Sequence, residues 1–325
     1  MIEINHLVKK YGDHEAVNDL SLKVEDGKIY GFLGPNGAGK STTMNIITGY
    51  LAATSGEVKV NGYDVLKNPE EAKKNIGYLP EMPPIYMDMT VMEYLRFVAE
   101  LKKIPKKDRA AHIDEIINMT KLNDVSNRMI KNLSKGYKQR VGLAQALVGY
   151  PDVIILDEPT VGLDPKQIIE MRELIKSLKE KHTVILSSHI MQEISAVCDY
   201  VFIISKGKLV ASDDIENIGN YAKNNEVTEV IIKGEKTDIS EVLSQIQGIS
   251  STEIQVLEDN MCKVIVHTKD GIDIRESLFF ALSDKKMPIM YLNKKESSLE
   301  EIFLELTKGD SELTESEEKE DASNL

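Results

Sequence analysis

Residues 34–41 read Gly34-Pro35-Asn36-Gly37-Ala38-Gly39-Lys40-Ser41, a full match to the pattern G-x-x-x-x-G-K-[ST]. The spacing suits one kind of chemistry. Gly34, Gly37 and Gly39 let backbone N–H groups turn inward and approach an anion without a Cβ in the way. A helix starting near Lys40 adds the positive end of its dipole, with Thr42 in its first turn. The Lys40 ammonium can then reach the β- and γ-phosphates of a nucleotide, and the Ser41 hydroxyl can ligate Mg²⁺. The elements that must position this loop are legible beside it. Residues 28–33 read as a buried strand entering it, and 40–49 as a helix leaving it.

Two downstream segments narrow the chemistry. Residues 153–158, Val-Ile-Ile-Leu-Asp-Glu, form an apolar strand ending in two acids. Asp157 is placed to hold Mg²⁺ through water, and Glu158 to orient and deprotonate an attacking water. Between the loop and this strand, residues 132–140 open an amphipathic stretch with Val141, Leu143, Ala144 and Leu147 apolar. Ser134 suits an N-cap, and Gly136 permits close approach of backbone to a phosphate. Either segment alone also describes an ordinary core strand or a capped helix.

Taken in order, these motifs resemble those of the ATP-binding subunits of ABC transporters. The Walker A loop is 34–41. The signature is Leu133-Ser134-Lys135-Gly136-Tyr137-Lys138-Gln139-Arg140, the Walker B strand 153–158, and the D-loop Val161-Gly162-Leu163-Asp164. The switch histidine is His189, and Tyr11 sits where the family stacks an aromatic ring on adenine. The resemblance covers about residues 1–215. It implies an α/β fold, a P-loop NTPase of ABC type with a β-subdomain and a helical insert at about 88–150. It also implies ATP sandwiched between two subunits, as a homodimer or heterodimer. Residues 34–42 and Tyr11 of one subunit would then face Ser134 and Gly136 of the other, with Asp164 crossing the interface. Glu158, His189 and Lys40 would be catalytic, and Ser41, Glu81 and Asp157 would serve Mg²⁺. In this family Gln usually occupies the position of Glu81, and many members have Gly and Gln where Lys135 and Tyr137 stand here. These departures resemble the branch whose separate partners are ABC-2 type membrane permeases, mostly exporters.

Composition agrees with a soluble ATPase, and the resemblance implies a cytoplasmic protein, peripheral on the inner face of the cell membrane. The 325 residues are 42% hydrophobic, enough for two cored domains. No run approaches the roughly 18 apolar residues that span a bilayer, and Met1 leads directly into a strand rather than a signal peptide. A channel would therefore be another polypeptide. Cys198 and Cys262 lie far apart with no C-x-x-C and read as core residues of a reducing cytosol. The net charge of −13 does not suit nucleic acid. Residues 310–325 carry seven acids against Lys319 and read as part of a disordered tail, 309–325.

Past a linker at 216–225, a second pattern runs from 226 to 308. Its strands and helices alternate as β-α-β-β-α-β, the ferredoxin-like split βαβ order of a small α+β domain. A final helix opens at the capping box Ser298-x-x-Glu301, with Leu299, Ile302, Phe303 and Leu306 on one face. No catalytic constellation occurs in this half. Near the insert, Ile85, Tyr86, Met87 and Met89 follow Pro83-Pro84 as an apolar patch for the permease or for the local core. The reading is an ATPase that energises an ABC-2 exporter. The alternatives are a soluble, non-transport ABC ATPase and an ATP-dependent regulatory protein. Two fused ATPase halves or long coiled coils would mark the first, and loss of Glu158 or His189 the second; the chain has neither signature.

Overall fold

The computed structural model describes residues 1–218, 227–268 and 272–295. They divide into two compact units that meet in sequence at Ile215 and Glu216.

The first unit is built on two sheets. Strands β1 (Ile2–Tyr11), β2 (His14–Val24), β4 (Ser55–Val60) and β5 (Tyr63–Asp64) form an antiparallel sheet in the order β2-β1-β4-β5. The second sheet has the order β10-β9-β3-β8-β7-β6. Its central strands are β3 (Ile29–Leu33), β8 (Thr183–Ser188) and β7 (Val153–Asp157), all parallel. On either side lie β9 (Tyr200–Ser205) and β6 (Ile76–Leu79), also parallel, and β10 (Lys208–Asp214) closes one edge antiparallel. Every residue of β3, β7 and β8 is buried, which is why their apolar stretches 29–33, 153–156 and 184–186 read as continuous rather than alternating. Parallel strands feeding helices deliver their C-terminal ends to one edge, where loops converge.

Helix α1 (Lys40–Ile47) leaves β3 through the glycine loop, and the short α2 (Pro69–Lys74) precedes β6. The helical insert comprises α3 (Val91–Leu101), α4 (Arg109–Met119) and α5 (Lys135–Leu147). Thr90 and Glu93 close a reciprocal capping box on α3, and its buried face carries Val91, Tyr94, Leu95 and Val98. Burying each such aliphatic chain contributes about 1.5–3 kcal/mol, which anchors the insert. Helices α6 (Pro165–Leu178) and α7 (Met191–Val197) flank β8.

The second unit is an antiparallel sheet with two helices. In chain order it comprises β11 (Val227–Lys233), α8 (Lys236–Ser244), β12 (Ile249–Val256), β13 (Met261–Thr268), α9 (Arg275–Asp284) and β14 (Ile289–Lys295). The strand order β12-β13-β11-β14 is the split βαβ arrangement. Alternation along β13 turns Cys262, Val264 and Val266 inward onto Ile239, Leu243 and Leu278. The expected linker differs at its start: 215–218 are helical and Ile218 is buried. An apolar residue inside a polar stretch has found a core to enter. The remainder of that linker, the helix expected from Ser298 and the acidic tail lie outside the described residues. Cys198 and Cys262 are buried free thiols, and burial pushes both thiols above their ordinary range.

Candidate active site

The glycines of residues 34–41 are demanded by packing as well as by backbone angle. A Cβ on Gly34 would stand 2.4 Å from the Ile204 carbonyl oxygen, and one on Gly39 2.3 Å from that of Ala16. Gly39 also has φ +98° and Gly37 φ +83°, values that suit glycine alone. Only Gly37 faces open space, so it alone fits the simple picture of backbone bared to an anion.

The loop curls around Lys40, which is 6% exposed. Its ammonium donates to the Gly34 and Pro35 carbonyl oxygens at 2.7 and 3.2 Å and lies 3.6 Å from Glu158 Oε1. Burial lowers the Lys40 pKa, and the charges of Glu158 and Asp157 oppose that shift. Beside it, the Ser41 hydroxyl donates to Asp157 Oδ1 at 3.2 Å. Asp157 is the last residue of β7, and Glu158 follows immediately; both are buried. His189 Nδ1 stands 3.0 Å from both carboxylate oxygens of Glu158.

These groups border a cavity of about 520 Å³ lined by Tyr11, Asn36, Gly37, Gly39, Lys40, Ser41, Thr42, Glu81, Glu158 and His189, among others. Tyr11 stands half-exposed on its rim, with Lys9 Nζ 5.1 Å from the ring centroid. Ala38 instead points into the core. A neighbouring cavity of about 750 Å³ shares Ser41 and Glu81 and adds Asp157, Tyr50, Tyr78, Met82 and Pro84. Among the described residues no group of three or more His, Cys, Asp or Glu side chains could enclose a metal. The Ser41–Asp157 pair instead offers two oxygen donors at one edge of the cavity. That suits Mg²⁺, which keeps its other positions for phosphate and water.

Ser134, Gly136 and Asp164 do not line this cavity. Ser134 is exposed and accepts from the Tyr137 N–H as N-cap of α5. Asp164 caps α6 by accepting from the Gln167 N–H at 2.9 Å. The Gln167 side chain lies against Gly136, and Lys135 lies against Gly162, so the signature and the D-loop form one surface. Sequence reasoning named Val161 only as part of the D-loop and missed His14 and Ala16 in the cavity wall, and Ser187 beneath it. His14 and Ala16 belong to none of the motifs. Ser187 lies two residues before His189, and only the register of β7 with β8 reveals what it touches.

A glycine loop joining a parallel strand to a helix, a buried lysine, and paired acids on the adjacent strand edge define a P-loop nucleotide hydrolase. Comparison with known proteins narrows the class. Residues 17–161 match the ABC transporter family. The bacitracin transport ATP-binding protein BcrA of Bacillus licheniformis is 35% identical over 311 residues, covering 95% of this chain and 98% of that protein. The lantibiotic transport ATP-binding protein SrtF of Streptococcus pyogenes is 34% identical over 230 residues, covering 70% and 97%. A solved dimeric ATP-binding cassette, in a post-hydrolysis state bound to ADP and Pi, superposes with a TM-score of 0.60 at 25% identity. It spans 66% of this chain and 99% of that one. The chain belongs to the ATP-binding subunits of ABC transporters. It binds ATP and is an ATPase coupled to transport. Among the described residues no helix is long and apolar enough to cross a membrane.

Proposed function

We propose that this chain powers export through a separate ABC-2 type permease, as one half of a dimer that closes on Mg²⁺ and ATP. The observation that carries the reading is the split of the site. Lys40, Ser41, Glu158 and His189 border one cavity, with Asp157 bonded to Ser41 behind its wall, whereas Ser134 and Asp164 lie exposed outside it. A second copy, or a related subunit, turned head to tail would supply the missing Ser134 and Gly136 to the phosphates. Mg²⁺, when bound, supplies charge neutralisation to the phosphate oxygens. Ser41 and Asp157 would hold it, with Glu81 facing the neighbouring space from the cavity wall.

Within the chain, Lys40 receives the phosphate charge, and Glu158 takes the proton of the attacking water. His189, bonded to Glu158, holds that water and meets the γ-phosphate. Tyr11 stacks on the base, and Asp164 crosses to the partner. The second cavity supports the docking reading, because Tyr50 and Met82 on its wall are each 84% exposed. A permease segment seated there would lie within reach of Glu81, linking membrane movement to the nucleotide. That arrangement would hold the protein on the inner face of the membrane. The second unit carries no phosphate loop and would modulate or stabilise the dimer. The relatives named for bacitracin and lantibiotic transport make peptide antibiotics the first cargoes to test. The experiment is detergent co-purification of the chain with its permease, comparing wild type with Met82→Glu. Retention of an ABC-2 type permease by wild type and its loss in Met82→Glu is expected. Equal retention would remove the cleft as the docking surface.

A further inference from the structure

Glu158 has a backbone its sequence does not favour. Its φ is +49°, in the left-handed region that non-glycine residues rarely occupy. It also precedes Pro159, and a residue before proline is pushed toward extended conformations. Such a residue persists only where its surroundings over-determine it.

One side chain supplies that constraint. In the parallel pairing of β7 with β8, Asp157 lies directly opposite Ser187. The Ser187 hydroxyl donates to Asp157 Oδ1 at 2.5 Å and accepts from the Glu158 N–H at 3.1 Å. The same N–H also lies 3.3 Å from the Ser187 carbonyl oxygen. Ser187 is fully buried, and its one donor is committed to Asp157. Two residues later, just past the end of β8, His189 meets the Glu158 carboxylate. Asp157 Oδ1 thus accepts from Ser41 of the phosphate loop and from Ser187 of the switch strand together.

We propose that Ser187 is a positioning residue that couples the metal-side acid Asp157 to the base Glu158. One hydroxyl orients the Asp157 carboxylate and pins the left-handed Glu158 peptide, so the two acids move as a unit. This rests on Glu158 acting as the base. Alanine at 187 leaves the Asp157 oxygen with one donor fewer and the Glu158 N–H with only the longer bond.

The test compares Ser187→Ala, Glu158→Gln and the double variant in the full-length protein. Each is read by single-turnover ATP hydrolysis per nucleotide-binding site, and by ADP affinity in EDTA and across a Mg²⁺ titration. Outer-sphere partners of metal ligands typically matter by about 10–100-fold, and kcat at saturating Mg²⁺ should fall by about that much in Ser187→Ala. The half-saturating Mg²⁺ concentration should rise several-fold, while ADP affinity in EDTA stays within about twofold, because Ser187 touches no phosphate-loop backbone. Added to Glu158→Gln, Ser187→Ala should change the residual rate by less than about twofold, since residues acting as a unit are not additive. An unchanged kcat in Ser187→Ala, an equal loss in both backgrounds, or weaker ADP binding in EDTA would each overturn the proposal. Full activity of Glu158→Gln would instead overturn the assignment of the base on which it rests.

Discussion

Replacing Glu158 by Gln removes one charge and keeps the shape, so its consequences can be worked from the site. Lys40 and Glu158 are 6% and 8% exposed in their side chains and lie 3.6 Å apart. At an effective dielectric of about 20 their direct attraction is roughly 5 kcal/mol, an upper limit on what the pair contributes. The Gly34 and Pro35 carbonyl oxygens also solvate the ammonium, and Asp157 lies nearby, so the cation is not stranded. We expect a net loss of about 2 kcal/mol, below the ~3–5 kcal/mol typical of a broken buried pair. For a unit of this size that lowers Tm by about 4–8 °C in the nucleotide-free protein. Nucleotide should restore much of the loss, because phosphate oxygens take over the ammonium. Hydrolysis responds differently. Gln cannot accept a proton, so turnover should fall by about 10²–10⁴-fold while ATP binding persists. The assays are thermal unfolding with and without ATP, steady-state phosphate release, and size exclusion, where an ATP-bound dimer should accumulate. Turnover above about a tenth of wild type would remove Glu158 as the base. An unchanged nucleotide-free Tm would show that the Lys40 pair contributes nothing.

Glu81→Ala should reduce transport in vesicles more than ATP binding, because Glu81 borders both the nucleotide cavity and the neighbouring cleft proposed to receive the permease. Equal transport by mutant and wild type would leave Glu81 a solvated loop acid. His112 should make stability fall on acidification. Its Nε2 accepts from the Gly149 N–H at 2.9 Å, and desolvation lowers its pKa below 6.5, aided by Lys102 against the charge of Glu115. The contribution is present above the unfolded pKa near 6.5 and lost as pH drops toward the lower folded value. His112→Gln should therefore flatten the change in Tm between pH 8 and pH 5.5, and an unaltered slope would refute it. Truncation after Ile215 should leave ATP affinity within about threefold, since every residue lining the nucleotide cavity precedes that point. A larger loss, with the fragment still folded by circular dichroism, would mean the second unit supports nucleotide binding.

What could be read from the sequence was local. The glycine–lysine–serine spacing of 34–41 sits within one strand-turn-helix, so a loop and its chemistry appear together in eight residues. Continuous apolar runs at 29–33, 153–156 and 184–186 announced strands covered on both faces. What was hidden depends on which strands lie side by side. The order β3-β8-β7 brings Ser187 to Asp157 across thirty residues of chain. The left-handed turn at Glu158 was equally invisible, because nothing in Asp-Glu-Pro favours it and only the surrounding hydrogen bonds impose it.

The helical insert raises a question of transmission that its contacts answer. Arg140, only 8% exposed, bonds Glu170 on α6 and the Thr120 carbonyl at the end of α4. Gln167 of α6 lies against Gly136 of α5, and Lys135 lies against Gly162 before α6 begins. Helices α5 and α6 are therefore joined at two levels, by an ion pair along their length and by side chains at their N-terminal ends. A force that shifts the N-terminus of α5, where Ser134 would meet the partner's phosphates, must carry the α6 cap Asp164 with it. Packed interiors transmit such displacements because they have little free volume to absorb them. The chain from Asp164 back through 158–163 is short, and the Val161 N–H is bonded to the Glu158 carbonyl oxygen. Under the proposed dimer, closure at one nucleotide would thus be felt at the base that serves the other.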